Sequence, residues 1–368
     1  MNRTLFFRRG FLLLPFMLPL SSVQAAPPSD GGCTLPDGGK ISGQVRLNPS
    51  CVYQGSVSIA GSGTSLDCAG ATLDGEGRRK FGVIIRSPEG NIKDVKVENC
   101  IIKNYANTGI FVTSGKRPNE WSQDIKANYN SAPSNITLKN VSVDNSGRVG
   151  VYFDDYVTRS SLRDSKVSGS GGAGIYLDQG SQYITIDNNS IENNGYSKTS
   201  KAVREGLAID ASALNSVTRN KFSSNAAGGV FLYKNCGEKF SSGGSTLRWQ
   251  SSNDNSIKTN SFINEKVGIW VASRQSRNLA KWDCGDAPVD SSRHYFADFA
   301  NHNTIEDNTF CRNDVAVRVE GDDNIMKNNS FDSGGGVVVP FESKAKPDGK
   351  RSIGNVIVKG ASNAKCGS

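Results

Sequence analysis

Two short phrases alternate along this chain, and both have the patterning of strands. The first sets glycine before an apolar–any–apolar triplet. It occurs as Gly109-Ile110-Phe111-Val112, Gly150-Val151-Tyr152-Phe153, Gly174-Ile175-Tyr176-Leu177, Gly206-Leu207-Ala208-Ile209, Gly229-Val230-Phe231-Leu232 and Gly268-Ile269-Trp270-Val271. Degenerate copies follow at Ala316-Val317-Arg318-Val319 and Gly336-Val337-Val338-Val339. The second phrase alternates apolar and polar residues and ends in asparagine, as at 97–104, 138–145, 186–193 and 257–264, with further copies around Phe222, Phe310 and Phe331. Period-two runs cornered by Gly and Asn predict two short strands per unit in a coil that repeats. The shortest steps between copies, 20, 23 and 24 residues, suit one turn of a parallel β-solenoid.

Composition agrees with a solenoid. Apolar residues make up 36% of the chain and 40 of its 368 residues are glycine, which is lean for a compact globule. A solenoid tolerates this because each coil buries only a narrow stripe against its neighbours. No linker or compositional break appears, so residues 26–368 are expected to form one domain. Within it, 26–65 would be a cap and first coils, 66–340 the repeats and 341–368 a closing cap and tail. Capping is physically required, since each end of a solenoid is an open sheet edge. The tail lysines Lys344, Lys346, Lys350, Lys359 and Lys365 are expected to protect that edge.

Residues 1–25 have the layout of an export signal: Arg3, Arg8 and Arg9, then an apolar stretch from Phe11 to Leu20, then Val23-Gln24-Ala25. The Arg8-Arg9 pair also suits a twin-arginine signal. The apolar stretch is too short to span a membrane. A periplasmic or secreted protein without a membrane span, acting as a monomer, is expected. The whole chain carries +8 and the signal +3, which leaves +5. That is modest for its length and argues against a nucleic-acid partner.

Eight cysteines, an even number in an exported chain, predict disulfides, although spacing alone leaves 105 pairings open. The pairing expected from their positions is Cys33–Cys51, Cys68–Cys100, Cys236–Cys284 and Cys311–Cys366. There is no C-x-x-C spacing and there are only two histidines, so zinc and histidine-built sites are not expected.

The repeat is broken by insertions at roughly 113–134, 194–205, 233–252 and 272–300. Long insertions in a regular repeat line one functional face. Their summed charge is +5, the whole charge left after the signal, and they hold Trp121, Trp249 and Trp282. Basic loops with aromatics suit an acidic partner that can stack; simple packing on the solenoid wall is the alternative.

In each glycine-led triplet the aliphatics point inward and the middle residue outward, because strand side chains alternate faces. The outward column is then Phe111, Tyr152, Tyr176, Ala208, Phe231 and Trp270. Exposed aromatics in line mark a contact surface, and flat rings are what sugar rings stack on. A second column follows the strand: Thr113, Asp154, Asp178, Asp210, Tyr233, Ala272, Glu320. Aspartates on three successive rungs repel unless a cation, a proton or an arginine intervenes. Asp154, Asp178 and Asp210 are therefore candidate catalytic acids or ligands for Ca²⁺, the one cofactor envisaged. Corner-capping by each Asp is the structural alternative. Arg204 and Arg274 are candidate clamps for a substrate carboxylate, with Tyr233 and Lys234 as a base–acid pair. Tyr152, Tyr176, Phe231 and Trp270 would bind the substrate.

From about residue 60 to 340 the chain resembles the right-handed parallel β-helix proteins that bind or degrade carbohydrates. That group includes pectate lyases, polygalacturonases, alginate lyases and mannuronan carbon-5 epimerases, along with periplasmic non-enzymes. The closest local likeness is to periplasmic epimerases, whose Asp-Pro-His-Asp motif corresponds to Asp154-Asp155-Tyr156-Val157. Only the first Asp is kept, and the Gly-His-Gly and Arg-Ile-Lys motifs of polygalacturonases are absent. The resemblance implies an all-β, right-handed parallel β-helix with caps and with long insertions on one face. It also implies an acidic polysaccharide as partner, acted on by β-elimination or related epimerase chemistry. Hydrolysis by the Asp column and non-catalytic binding of a glycan or a protein are the alternatives.

Overall fold

The computed structural model describes residues 33–86, 91–235, 240–244, 246–271, 279–281, 287–288, 291–293, 296, 300–332, 339–343, 352–358, 360 and 366. The chain winds from a first sheet to a second, to a third and back again. One turn runs through Phe81–Ile85, Lys93–Glu98 and Ile101–Lys103, and the next begins with Thr108–Val112, paired to Phe81–Ile85. All pairing between these strands is parallel, and the described residues build sheets of 11, 11 and 10 strands. The glycine-led phrase forms the first sheet and the alternating phrase forms the second and third. This is the expected solenoid.

The triplet burial follows from strand geometry. In Ile175–Leu177 the two aliphatics are fully buried and Tyr176 between them is half-buried. Burying each such aliphatic contributes about 1.5–3 kcal/mol, so a thin stripe repeated coil after coil holds the molecule together. Inside, Phe222, Phe262, Phe310 and Phe331 stack with ring centroids 5.0, 5.0 and 5.6 Å apart. The leading glycine is required for space. A Cβ on Gly150 would lie 2.5 Å from Val167 Cγ1 and 2.6 Å from the Gly174 carbonyl oxygen.

Asparagine does two jobs. Asn99, Asn140 and Asn188 turn corners in the left-handed region, at φ of 56, 49 and 56°, a conformation asparagine tolerates. Others form buried ladders: from Asn189 through Asn220, Asn260 and Asn308 to Asn329, each side-chain amide donates to the next side-chain oxygen at 2.9–3.1 Å. Buried amides are costly unless bonded in this way.

Disulfides join Cys33–Cys51, Cys68–Cys100 and Cys311–Cys366. The fourth expected pair, Cys236–Cys284, lies outside the described residues, as do the export signal, the tail lysines, Ala272, Arg274 and Trp282. Pairing continues past 340, since Val339–Ser343 extends the first sheet and Val356–Ile357 the second. No described helix is long and apolar enough to cross a membrane. The insertions border the first sheet. Residues 113–134 leave its downstream edge and contain the only described α-helix, Ile125–Asn130, whose first turn is capped by Asp124 accepting from the Lys126 N–H at 2.9 Å. Residues 194–205 lie at its upstream edge, closed by a bridge between Tyr196 and Val203.

Candidate functional site

The outer face of the first sheet carries the expected aromatic column. Strand pairing sets Ser58, Ile84, Phe111, Tyr152, Tyr176, Ala208, Phe231, Trp270 and Arg318 in one row. Phe81 extends the ring stack: Phe81–Phe111, Phe111–Tyr152 and Tyr152–Tyr176 centroids are 5.4, 5.2 and 5.2 Å apart. These rings are half-buried. Beyond Tyr176 the face changes. Ala208 is fully buried and Phe231 nearly so, and both belong to a second apolar cluster with Ala173, Tyr233, Val267 and Val315.

The aspartate column stands beside the rings, and each carboxylate has a different environment. Asp154 accepts from the Thr113 hydroxyl and Asp155 from Trp121 Nε1 at 3.1 Å. Asp178 accepts from the Tyr152 hydroxyl one coil earlier. Asp210 accepts in the same way from Tyr176 at 2.5 Å, and also from the Asn235 backbone N–H at 2.8 Å and the Asn235 side-chain amide. Arg248 lies between the last two, its Nη1 2.5 Å from Asp178 and 3.3 Å from Asp210. Asp154 and Asp155 are half-buried, Asp178 is 6% exposed and Asp210 is fully buried.

Electrostatics divides the column accordingly. Burial, and then the charge of Asp178, push Asp154 up to about 6 against the opposing Thr113 bond. Burial and the charges of Asp178 and Asp154 raise Asp155 well above the carboxylate range. Burial and the neighbouring Asp178 and Asp210 carboxylates likewise raise Tyr152 and Tyr176, so both phenols keep their protons. For Arg248 burial opposes charge, but Asp178 and Asp210 outweigh it and hold the guanidinium protonated. Asp154, Asp155 and Asp178 bring carboxylate oxygens within 4.8 Å of one another. Three hard oxygen donors at that spacing fit a divalent cation such as Ca²⁺.

Several residues singled out from the sequence stand elsewhere. Tyr233 is buried and donates to Glu205 at 2.6 Å, and Lys234 is 7% exposed. Neither can meet a polymer, so the expected base–acid pair is corrected. Phe231 is likewise a packing residue, 7% exposed within the second apolar cluster. Asp210 is locked by Tyr176, Asn235 and Arg248 and falls outside the three-carboxylate group, where Asp155 takes its place. Trp270 is half-buried and donates to Glu320 at 3.1 Å, with Arg318 over its ring at 5.5 Å. Arg204 is exposed at the upstream edge.

Sequence reasoning missed Arg248, counted only as loop charge, and Trp121, counted only as a loop aromatic. Lys116 caps the Trp121 ring at 4.9 Å, and Tyr129 of the same insertion donates to the Gly180 carbonyl at 2.7 Å. From the other side Gln182 donates to Gln250 at 2.5 Å. Two insertions thus converge on the coil that carries Asp178.

Among solved structures, an alginate lyase from Paenibacillus sp. strain FPU-7 is similar, at 13% identity and a TM-score of 0.53, covering 81% of this chain and 90% of that one. The A-module of a mannuronan C-5 epimerase from Azotobacter vinelandii aligns over 89% and 86% at 13% identity and a TM-score of 0.49. The Streptococcus pneumoniae surface adhesin PfbA aligns over 80% and 77% at 13% identity and 0.48. The first of these, at 13% identity and a TM-score above 0.5, shows a shared fold alone. No curated protein sequence matches. The sequence profile described as a right-handed β-helix region matches residues 82–243 and 205–356, and with the three parallel sheets this places the chain in the right-handed parallel β-helix family.

Proposed function

We propose that this protein is an exported, carbohydrate-active β-helix that binds an acidic polysaccharide along the outer face of its first sheet and cleaves it by β-elimination. The observation that carries this reading is the half-buried ring stack Phe81–Phe111–Tyr152–Tyr176 standing beside carboxylates whose protonation is poised. The rings offer flat faces for successive sugars. Asp154, ionised above about pH 6, would accept the proton α to a uronate carboxylate. Tyr152, which keeps its proton at neutral pH, would protonate the departing glycosidic oxygen. Asp155 and Asp178 would hold a divalent cation beside Asp154, leaving Asp154 as the base. When bound, that cation would neutralise the uronate carboxylate and so acidify the neighbouring C–H. Export with the disulfides formed, and action as a monomer, complete the reading.

Absorbance near 235 nm tests it, following the purified protein with a panel of uronate polymers, with and without Ca²⁺. A rise identifies unsaturated uronate, and with it β-elimination and the substrate. A flat trace on every polymer sinks the lyase.

One observation favours a second reading, a non-catalytic glycan binder. The Tyr152 and Tyr176 hydroxyls already donate to carboxylates, and Asp178 and Asp210 share Arg248. Such satisfaction suits a rigid wall as well as a catalyst. Retained polymer binding without turnover, including no new reducing ends, would select this reading.

A further inference from the structure

The aspartate column begins with a cation. Arg86 donates its backbone N–H to Ile59, Thr113 to Ile85 and Asp154 to Val112, so Arg86, Thr113 and Asp154 occupy the same position on successive coils. Two rungs of about 4.8 Å separate Arg86 from Asp154 along the axis. Arg86 is exposed, and it has no ion-pair partner among the described residues. It also borders an open hollow of about 540 Å³ lined by Lys40, Ile41, Ser58, Ile84 and Arg86. Because Ser58 and Ile84 begin the row that Phe111 and Tyr152 continue, the hollow is a direct extension of the ring stack.

The Arg86 side chain is held in place. It lies against Gly115, at φ +72°, where an added Cβ would come within 2.1 Å of Nε and 2.4 Å of Cζ. Thr113 fixes that glycine by accepting its backbone N–H at 2.8 Å while donating to Asp154. A single threonine therefore couples the placement of the guanidinium to that of the carboxylate.

We infer that the hollow at Arg86 is the subsite for a carboxylate of the polymer, and that Arg86 is its specificity-determining residue. This rests on the reading of the first sheet as a polysaccharide-binding face. A fork of guanidinium donors matches a carboxylate in two places at once. With a charged unit held at Arg86, two rungs from Asp154, the reacting unit of the same chain falls at Tyr152 and Asp154.

Isothermal titration of the full chain with mannuronate and galacturonate oligomers, and with their carboxyl-reduced counterparts, tests this. R86Q is expected to weaken binding of the carboxylated oligomer about tenfold and to leave the reduced oligomer unaffected. R86K, which keeps the charge and loses the fork, should fall between. G115A should reproduce the R86Q loss by displacing the side chain. Equal affinity of wild type and R86Q for the carboxylated oligomer would overturn the subsite while leaving the polysaccharide face standing. Absence of any oligomer binding by wild type would remove both.

Discussion

The two halves of the first sheet carry the same phrase and present different surfaces. From Phe81 to Tyr176 the outward rings are half-buried and border open space, and the adjoining Asp154 and Asp155 retain access to solvent. At Ala208 and Phe231 the same outward positions are buried in an apolar cluster, and Tyr233 and Lys234 are buried beside them. Nothing in Gly-Val-Phe-Leu distinguishes it from Gly-Val-Tyr-Phe as a strand. The comparison teaches that a repeat specifies the coil, whereas the side chains packed around each outward position specify which coils are surface. Arg248 illustrates this, reaching Asp178 from 70 residues away.

Removing Arg248 should have the largest effect on this contrast. Arg248→Met leaves two buried carboxylates without their counter-charge and is expected to cost about 3–5 kcal/mol, read by urea unfolding. A loss below about 1 kcal/mol would mean that the two carboxylates are not held as ions by this residue. In the open half, Asp154→Asn should lower turnover of a polyuronate about 100-fold while binding stays within about threefold. Wild-type turnover should be present above about pH 6 and lost as pH falls through it, because the base is then protonated. A profile unchanged in the variant would exonerate Asp154.

The covered half holds a test of a different kind. Glu265 replaces asparagine in a buried ladder, accepting from the Asn225 side chain at 2.7 Å and from its backbone N–H at 3.1 Å. Burial raises its pKa from 4.5 to about 8. Folding thus favours the protonated acid, so stability is highest below about pH 4.5 and falls as pH rises toward 8. Glu265→Asn restores the ladder and should add about 1–3 kcal/mol at pH 8 and much less at pH 4.5. Thermal melts at the two pH values would show it, and an equal gain at both would refute the titration. The smallest effects sharpen the contrast directly. Tyr152→Ala should weaken oligomer binding by about 1 kcal/mol. Phe231→Leu should leave binding unchanged and cost roughly 1 kcal/mol of stability.

The coil and the register of the candidate site's rows were legible in local patterning. The triplet predicted two inward aliphatics and one outward residue, and Tyr152, Tyr176 and Phe111 stand in that row as expected. The aspartate register was legible for the same reason, since equal offsets from the glycine become equal positions on successive rungs. The base–acid pair Tyr233 and Lys234 was misplaced, because burial depends on what lies over a strand and not on the strand's own alternation. Asp155 and Arg248 were not picked out because neither has a repeating counterpart.

The sequence by itself determined the parallel coil, the inward stripe and the corner asparagines. Each follows from short-range geometry repeated at nearly constant spacing. Only the tertiary structure decided which rungs face solvent, which carboxylates share a guanidinium and which cation heads the acidic column. Those outcomes depend on insertions folding back across coils, and contacts between residues so far apart in the chain leave no period to be read.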